Sequence, residues 1–128
     1  MKKALASKYK ALKKVKAAVL LHGCGLKDGS DIMEVSSLLI ALSQVQATVQ
    51  CFAPDKPQAC TVNHVTGQIE EAQEGEQRNM REEAARITGG NVESLDKLKA
   101  KNFDVLFVTG GMGVSRSLTD FSESVEDM

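Results

Sequence analysis

Tryptophan is absent, and one tyrosine and four phenylalanines are the only aromatic residues among 128. So few aromatic faces give poor support to a base-stacking surface of the kind single-stranded nucleic-acid binders use. Cysteine is also scarce. Cys24, Cys51 and Cys60 show no paired spacing for zinc or a disulfide framework, and an odd count points to a reducing compartment without a structural disulfide. No run approaches the roughly 18 apolar residues of a membrane-spanning helix. What remains is ordinary for a globular chain: 42% apolar, 26% charged, formal net charge -1. The length suits one domain that buries roughly two-thirds of its unfolded surface.

The charge is unevenly spread. Residues 1–16 hold seven lysines with no acid and no arginine, whereas Glu70, Glu71, Glu74 and Glu76 form a local acidic stretch. Ala4, Leu5, Tyr9, Leu12 and Val15 make a weak helical stripe among the lysines. Residues 1–15 therefore read as a basic arm or helix, and three roles compete for it. It is a solubilising arm, a helix docked on an acidic partner or weakly on an anionic surface, or a targeting presequence. No second basic patch accompanies these lysines, so nucleic acid is not an expected partner.

Residues 16–128 read as one α/β domain. Ala17-Ala18-Val19-Leu20-Leu21, Ala47 to Phe52 and Phe103 to Val108 are short apolar runs expected as strands, the first buried on both faces of a parallel sheet. Between the first two, Ile32, Val35, Leu38, Leu39 and Leu42 recur at helical spacing, with Ser30 or Asp31 available as the cap. Pro54 and Pro57 end the second strand. A long irregular stretch follows, expected to be functional or mobile. Residues 78–88 read as a helix closed by Gly89-Gly90, and a short helix lies near Leu95-Asp96-Lys97-Leu98. The pattern predicts a doubly wound layered α/β fold with few strands.

Most of the chemically suggestive residues cluster at the C-terminal ends of strands, where open α/β sheets place ligands. Glu34, in the first turn of the first helix, is a candidate acid or base, or a solvated glutamate favouring the helix dipole. Gly110-Gly111 offers backbone N–H groups for an oxyanion or small anion, although the need for a turn also explains the pair. Ser115 and Arg116 follow within reach of the same turn. Cys24, between Gly23 and Gly25, reads better as a small residue permitting backbone approach than as a nucleophile, even with His22 near in sequence. Cys51 reads as core and Cys60 as a loop thiol without a base beside it. His64, next to Asn63, is expected to organise its loop. No metal-ligand spacing and no cofactor fingerprint is present.

Five ordered blocks carry a resemblance: Gly23-Cys24-Gly25-Leu26-Lys27-Asp28-Gly29-Ser30-Asp31, Phe52-Ala53-Pro54-Asp55-Lys56, Asn63-His64-Val65-Thr66-Gly67, Arg78-Asn79 with Glu83-Ala84-Ala85-Arg86-Ile87, and Gly110-Gly111-Met112-Gly113 through Ser117-Leu118. Together they resemble the ES1 branch of the DJ-1/PfpI superfamily, proteins similar to class I glutamine amidotransferases. The resemblance implies a flavodoxin-like, DJ-1-like three-layer sandwich with a mostly parallel sheet, incomplete here in its C-terminal half. It also implies a cysteine at a strand-to-helix elbow, with Glu34 as the matching acid and Gly110 and Gly111 as backbone donors. None of Cys24, Cys51 or Cys60 matches the elbow position, so no nucleophile is expected within these residues. The family also favours proline, an aromatic and histidine where this chain has Thr109, Met112 and Met33.

The expectation is a noncatalytic accessory or structural subunit of a larger assembly, with Glu34 vestigial. Its partners would be other subunits that complete or cover the sheet, or a second copy in a homodimer. The resemblance implies a mitochondrial location, with the cytoplasm as the alternative. The competing reading is a weak cysteine-dependent enzyme of glyoxalase or deglycase type, its nucleophile supplied by a longer product or a partner.

Overall fold

The computed structural model describes residues 13–70 and 75–121. Most of the expected basic arm and part of the acidic stretch therefore lie outside the described residues. The elements run β1 (Lys16–Leu20), α1 (Ile32–Gln44), β2 (Thr48–Ala53), β3 (Thr61–Val62), β4 (Ile69–Glu70), α2 (Met80–Thr88), β5 (Val92–Ser94), two short 3-10 turns (Leu95–Lys97 and Ala100–Asn102), β6 (Val105–Val108) and a π-type turn (Val114–Leu118).

Four strands form one parallel sheet in the order β5-β2-β1-β6. Val19 at the centre stands opposite Cys51 on one side and Phe107 on the other. Parallel strands need crossovers, and a central strand so placed is buried on both faces. Ala17, Ala18 and Val19 are accordingly almost fully buried. The fourth strand, β5, departs from the expectation of three: its Val92-Glu93-Ser94 is too short to show a period.

Both helices pack on the same side. Val35 and Leu42 of α1 and Ala84 of α2 join Ala17, Val19, Leu21, Cys51, Ala53 and Val92 in one core cluster. Cys51 is thus a core residue, as expected. Capping explains where the helices start and stop. The Asp31 carboxylate accepts from Met33 N–H at the head of α1. The Asn79 carboxamide accepts from Arg81 and Glu82 N–H at the head of α2, and Gly89 closes that helix in the left-handed region at φ 67°.

The opposite face of the sheet is only partly covered. Phe103 meets Phe52 edge to face with ring centroids 5.6 Å apart. Leu98 and Ala100 flank a shallow hollow with Ala18 and Leu106. Beyond them Leu106 and Val108 of β6 remain about half exposed, at 51% and 52%.

The long connection after β2 is not structureless. It holds the antiparallel pair β3–β4, whose tip is built by Asn63: its side-chain oxygen accepts from Val65 N–H at 3.0 Å and Thr66 N–H at 3.2 Å. This polar two-residue pairing carries no apolar alternation, so periodicity does not reveal it.

Leu21 and Asn79 test this account. Leu21→Ala removes a fully buried side chain and is expected to cost about 2–5 kcal/mol. Asn79→Ala removes a cap and is expected to cost about 1 kcal/mol. Urea unfolding followed by circular dichroism measures both, and equal losses would contradict this division between core and cap.

Candidate functional site

The order β5-β2-β1-β6 reverses direction at β1, so the loops leaving β1 and β6 diverge and frame a crevice at their C-terminal ends. These loops are residues 21–31 and 109–113. They are held together by a compact set of hydrogen bonds. His22 N–H donates to Ser30 Oγ at 2.9 Å, and Thr109 Oγ1 lies 3.1 Å from Leu20 O and 3.2 Å from Ser30 Oγ. Because Leu20 O can only accept, Thr109 donates to it and Ser30 donates to Thr109. Thr109 N–H also donates to Leu20 O at 3.2 Å, which proline at this position could not do.

His22 is fully buried within this set. Its Nε2 lies 2.8 Å from Thr109 O, a carbonyl that only accepts, so Nε2 carries the proton. Nδ1 then bears a lone pair and has no hydrogen-bond partner. Gly113 packs against the ring, and a Cβ there would sit 2.5 Å from Nδ1. Burial lowers the His22 pKa, against smaller opposing contributions from its Thr109 bond and the Glu34 charge. The ring is a neutral structural strut. It is not the thiolate-stabilising cation that proximity to Cys24 in sequence would suggest.

Glu34 and the glycine pair do come together. Gly110 N–H donates to Glu34 Oε1 at 2.9 Å, and Asp31 N–H donates to Gly110 O at 2.9 Å. A Cβ on Gly110 would collide with the Glu34 carboxylate. Gly111 has φ 114°, and a Cβ there would strike the backbone of residues 29–31. Glycine at 110 is therefore required by close approach, and at 111 by conformation as well. In this arrangement the Gly110 donor is held by Glu34, so an incoming oxyanion would have to displace the carboxylate. Around this pair Leu26, Met33 and Met112 are substantially exposed, and Met112 N–H donates to Leu26 O at 2.8 Å.

None of the three thiols completes a nucleophile–base pair with Glu34, whose hydrogen bond goes to Gly110. Burial raises the pKa of Cys24 and of Cys51, which keeps both protonated. Cys60 instead lies beside Arg116, with Nη1 3.6 Å from Sγ. Arg116 thus points at the loop before β3, and Ser115 donates to Met112 O at 3.2 Å within its own turn.

His64 organises its loop as expected. Nδ1 lies 3.0 Å from Val62 O and must donate, while Nε2 accepts Lys27 N–H at 3.1 Å. That lone-pair nitrogen is 3.9 Å from Asp28 Oδ1, so the approach is not an ion pair. Asp28, which no sequence pattern marks as a site residue, is buried, and its Oδ2 accepts Val62 N–H at 2.7 Å. Among the described residues no group of three or more His, Cys, Asp or Glu side chains could hold a metal, and no helix is long and apolar enough to cross a membrane.

The buried histidine predicts a pH dependence. Its folded pKa lies below the ordinary 6.5, so the unfolded chain binds the proton more readily. Its stabilising contribution is complete above about pH 6.5 and declines as pH falls below it. Urea midpoints measured from pH 7.5 to pH 5 should fall for the native chain and fall less for His22→Gln. Parallel slopes would show that His22 is not the responsible group. Gly110→Ala should separately destabilise the chain by about 1–3 kcal/mol by forcing Glu34 away.

No family model matches the chain. It is 41% identical over 112 residues to the human glutamine amidotransferase-like class 1 domain-containing protein 3, mitochondrial, covering 88% of this chain and 41% of that protein. It is 39% identical to the rat ES1 protein homolog, mitochondrial (89% and 42%), and 34% identical to the zebrafish ES1 protein, mitochondrial (86% and 41%). A solved structure of an isoprenoid biosynthesis protein with an amidotransferase-like domain from Ehrlichia chaffeensis superposes with TM-score 0.76 at 32% identity, over 88% of this chain and 55% of that one. The chain thus spans about two-fifths of the length of these curated relatives. Over 86–89% of its length the chain is thus similar to mitochondrial ES1 and glutamine amidotransferase-like proteins, and its mostly parallel sheet shares the fold of the amidotransferase-like structure.

Proposed function

We propose that this chain acts as a noncatalytic accessory or structural subunit of a mitochondrial protein assembly. The observation that carries this reading is the state of Glu34. Its carboxylate is bonded to Gly110 N–H rather than to a thiol, and burial keeps Cys24 and Cys51 protonated. Covalent catalysis at a carbonyl needs a nucleophile within hydrogen-bond reach of its base, and no thiol of these residues pairs with Glu34. The names of three relatives favour the mitochondrion.

The half-exposed Leu106 and Val108 on β6 support the assembly part of the reading. Strands of a parallel sheet are ordinarily covered on both faces, and an open strand edge invites pairing. The competing enzyme keeps one foothold, because Glu34 and Gly110 still meet at the crevice. It would require a cysteine from a longer product or from a partner.

Two experiments bear on this function. The purified chain should consume methylglyoxal no faster than buffer, with Cys24→Ser making no difference; turnover that depends on a cysteine would overturn the noncatalytic reading. Deleting residues 1–14 should leave the α/β core folded, since β1 pairing begins at Lys16 and Val15 O still accepts Thr48 N–H. The same deletion should weaken co-purification with mitochondrial partners. Unchanged co-purification would remove the arm from the proposed assembly.

A further inference from the structure

The two faces of the sheet are covered unequally. Both helices lie on one side, and among the described residues the other side carries only the turns at Leu95–Lys97 and Ala100–Asn102. On that second side Ala18, Leu98, Ala100, Phe103 and Leu106 border an apolar hollow of about 230 Å³. Leu106 and Val108 continue the apolar surface along β6. Parallel sheets are ordinarily covered on both faces, so this face calls for a further element.

The chain enters the sheet beside this hollow. Lys13 is the first described residue, and its Nζ lies 3.6 Å from Asp104 Oδ1. Asp104 borders the hollow and also accepts Lys16 N–H at 2.9 Å. Val15 O is fixed from the β2 side by Thr48 N–H. The segment before Lys13 therefore starts at the lip of the uncovered face, three residues ahead of β1. A connection that short joins a helix to a strand when the helix doubles back along the sheet. Residues 1–12 have the pattern for it. Leu5, Tyr9 and Leu12 recur at i, i+4 and i+7, with Lys3, Ser7 and Lys10 on the opposite side. Twelve residues of helix span about 18 Å, close to the roughly 16 Å of a five-residue strand such as β1.

We propose that residues 1–12 fold back as a helix antiparallel to β1 and close the uncovered face of this chain's own sheet. Leu12 then sits nearest the hollow, between Leu98 and Leu106, and Leu5, about 10 Å further along the helix, lies over Val108. Lys99 and Lys101 nearby are exposed and repel a lysine-rich segment, so apolar contact rather than charge holds the arm. The tether favours this occupant over a separate partner, because a segment joined by so short a link is present at about millimolar effective concentration. The lysine face stays outward, where an acidic partner can still meet it, and the β6 edge stays open. The proposal does not rest on the noncatalytic reading, and docking of the arm is measured separately from turnover and from co-purification.

Tyr9 reports on the docking directly, since it is the only tyrosine and tryptophan is absent. In the full chain its acrylamide quenching constant should be at least about threefold lower than in urea. The protection should be equal at about 1 and 100 µM chain and should survive about 0.5 M salt. Leu106→Asp puts a charge on the docking face, and Leu12→Asp puts one on the arm. Both should expose Tyr9 to quencher and raise the binding of an apolar dye, with circular dichroism of the core retained. Leu12→Asp lies outside the sheet and keeps the test decisive if Leu106→Asp fails to fold. A Tyr9 as accessible as in urea, protection unmoved by these variants, or protection lost in salt would each overturn the proposal. Protection that grows with chain concentration would assign the face to a second copy and overturn it equally. In a Cys24→Ser, Cys60→Ser background, Leu5→Cys should form an intramolecular disulfide with Val108→Cys and not with Leu98→Cys. The reverse pattern would overturn the antiparallel direction.

Discussion

Two loops leave neighbouring parallel strands at the same end of the sheet and must pass through one small volume without leaving a backbone polar group unpaired. That constraint shapes the rest of the crevice. Ser30, Thr109 and His22 meet it by closing hydrogen bonds onto one another and onto the last carbonyl of β1. Their closure leaves no room for side chains where the loops touch, which accounts for the glycines at 29, 110, 111 and 113. With the loops fixed, Asp31 caps α1 and bonds Gly110, and Glu34 is delivered one turn later onto the Gly110 amide. The position of Glu34 is therefore a consequence of backbone hydrogen bonding several residues away.

This coupling ties most of the polar groups of the crevice to one another. Thr109 supplies an N–H and a hydroxyl to the interloop bonds, where the family resemblance leads one to expect proline. Met33, where the resemblance leads one to expect histidine, cannot carry a proton and faces outward. Of the thiols, one is core, one is tucked into the β1–α1 loop, and one sits beside Arg116 on the far loop. The Glu34 carboxylate and the Gly110 turn direct their hydrogen-bonding capacity at each other.

Much of this was legible in the sequence where a physical period existed. The strands β1, β2 and β6 announced themselves as apolar runs, within a residue or two of their ends. Both helices follow from 3.6-residue spacing, with Ser30 or Asp31 available as the first cap and Gly89-Gly90 ending the second, whereas the Asn79 cap is a finding of the structure. Glu34 and Gly110 could be placed at the same end of the sheet, because parallel topology puts both there. The hydrogen bond between them could not be read, since it depends on the approach of two loops 76 residues apart. Strand β5 was too short to show a pattern, and the β3–β4 pair too polar. Sequence adjacency relates His22 only to Cys24. The signal that would have placed it was a histidine and two hydroxyl residues, Ser30 and Thr109, each just beyond or before an element end. Asp28 gave no signal at all, because its partner is a backbone amide in a distant hairpin.

The sheet order also has a kinetic consequence. β1 lies between β2, which follows it after one helix, and β6, whose contacts with it span some 88 residues of sequence, as between Lys16 and Asp104. Closing a loop that long has an entropic cost before any native contact compensates for it. The β1–α1–β2 unit can form first from local contacts, while β6 must wait until the intervening residues have been made. During that interval one side of β1 stays unpaired, and the amide and carbonyl groups later satisfied by β6 face water or a chaperone. Folding on the ribosome would thus pass through a half-zippered intermediate whose most apolar strand is the last to find its second neighbour.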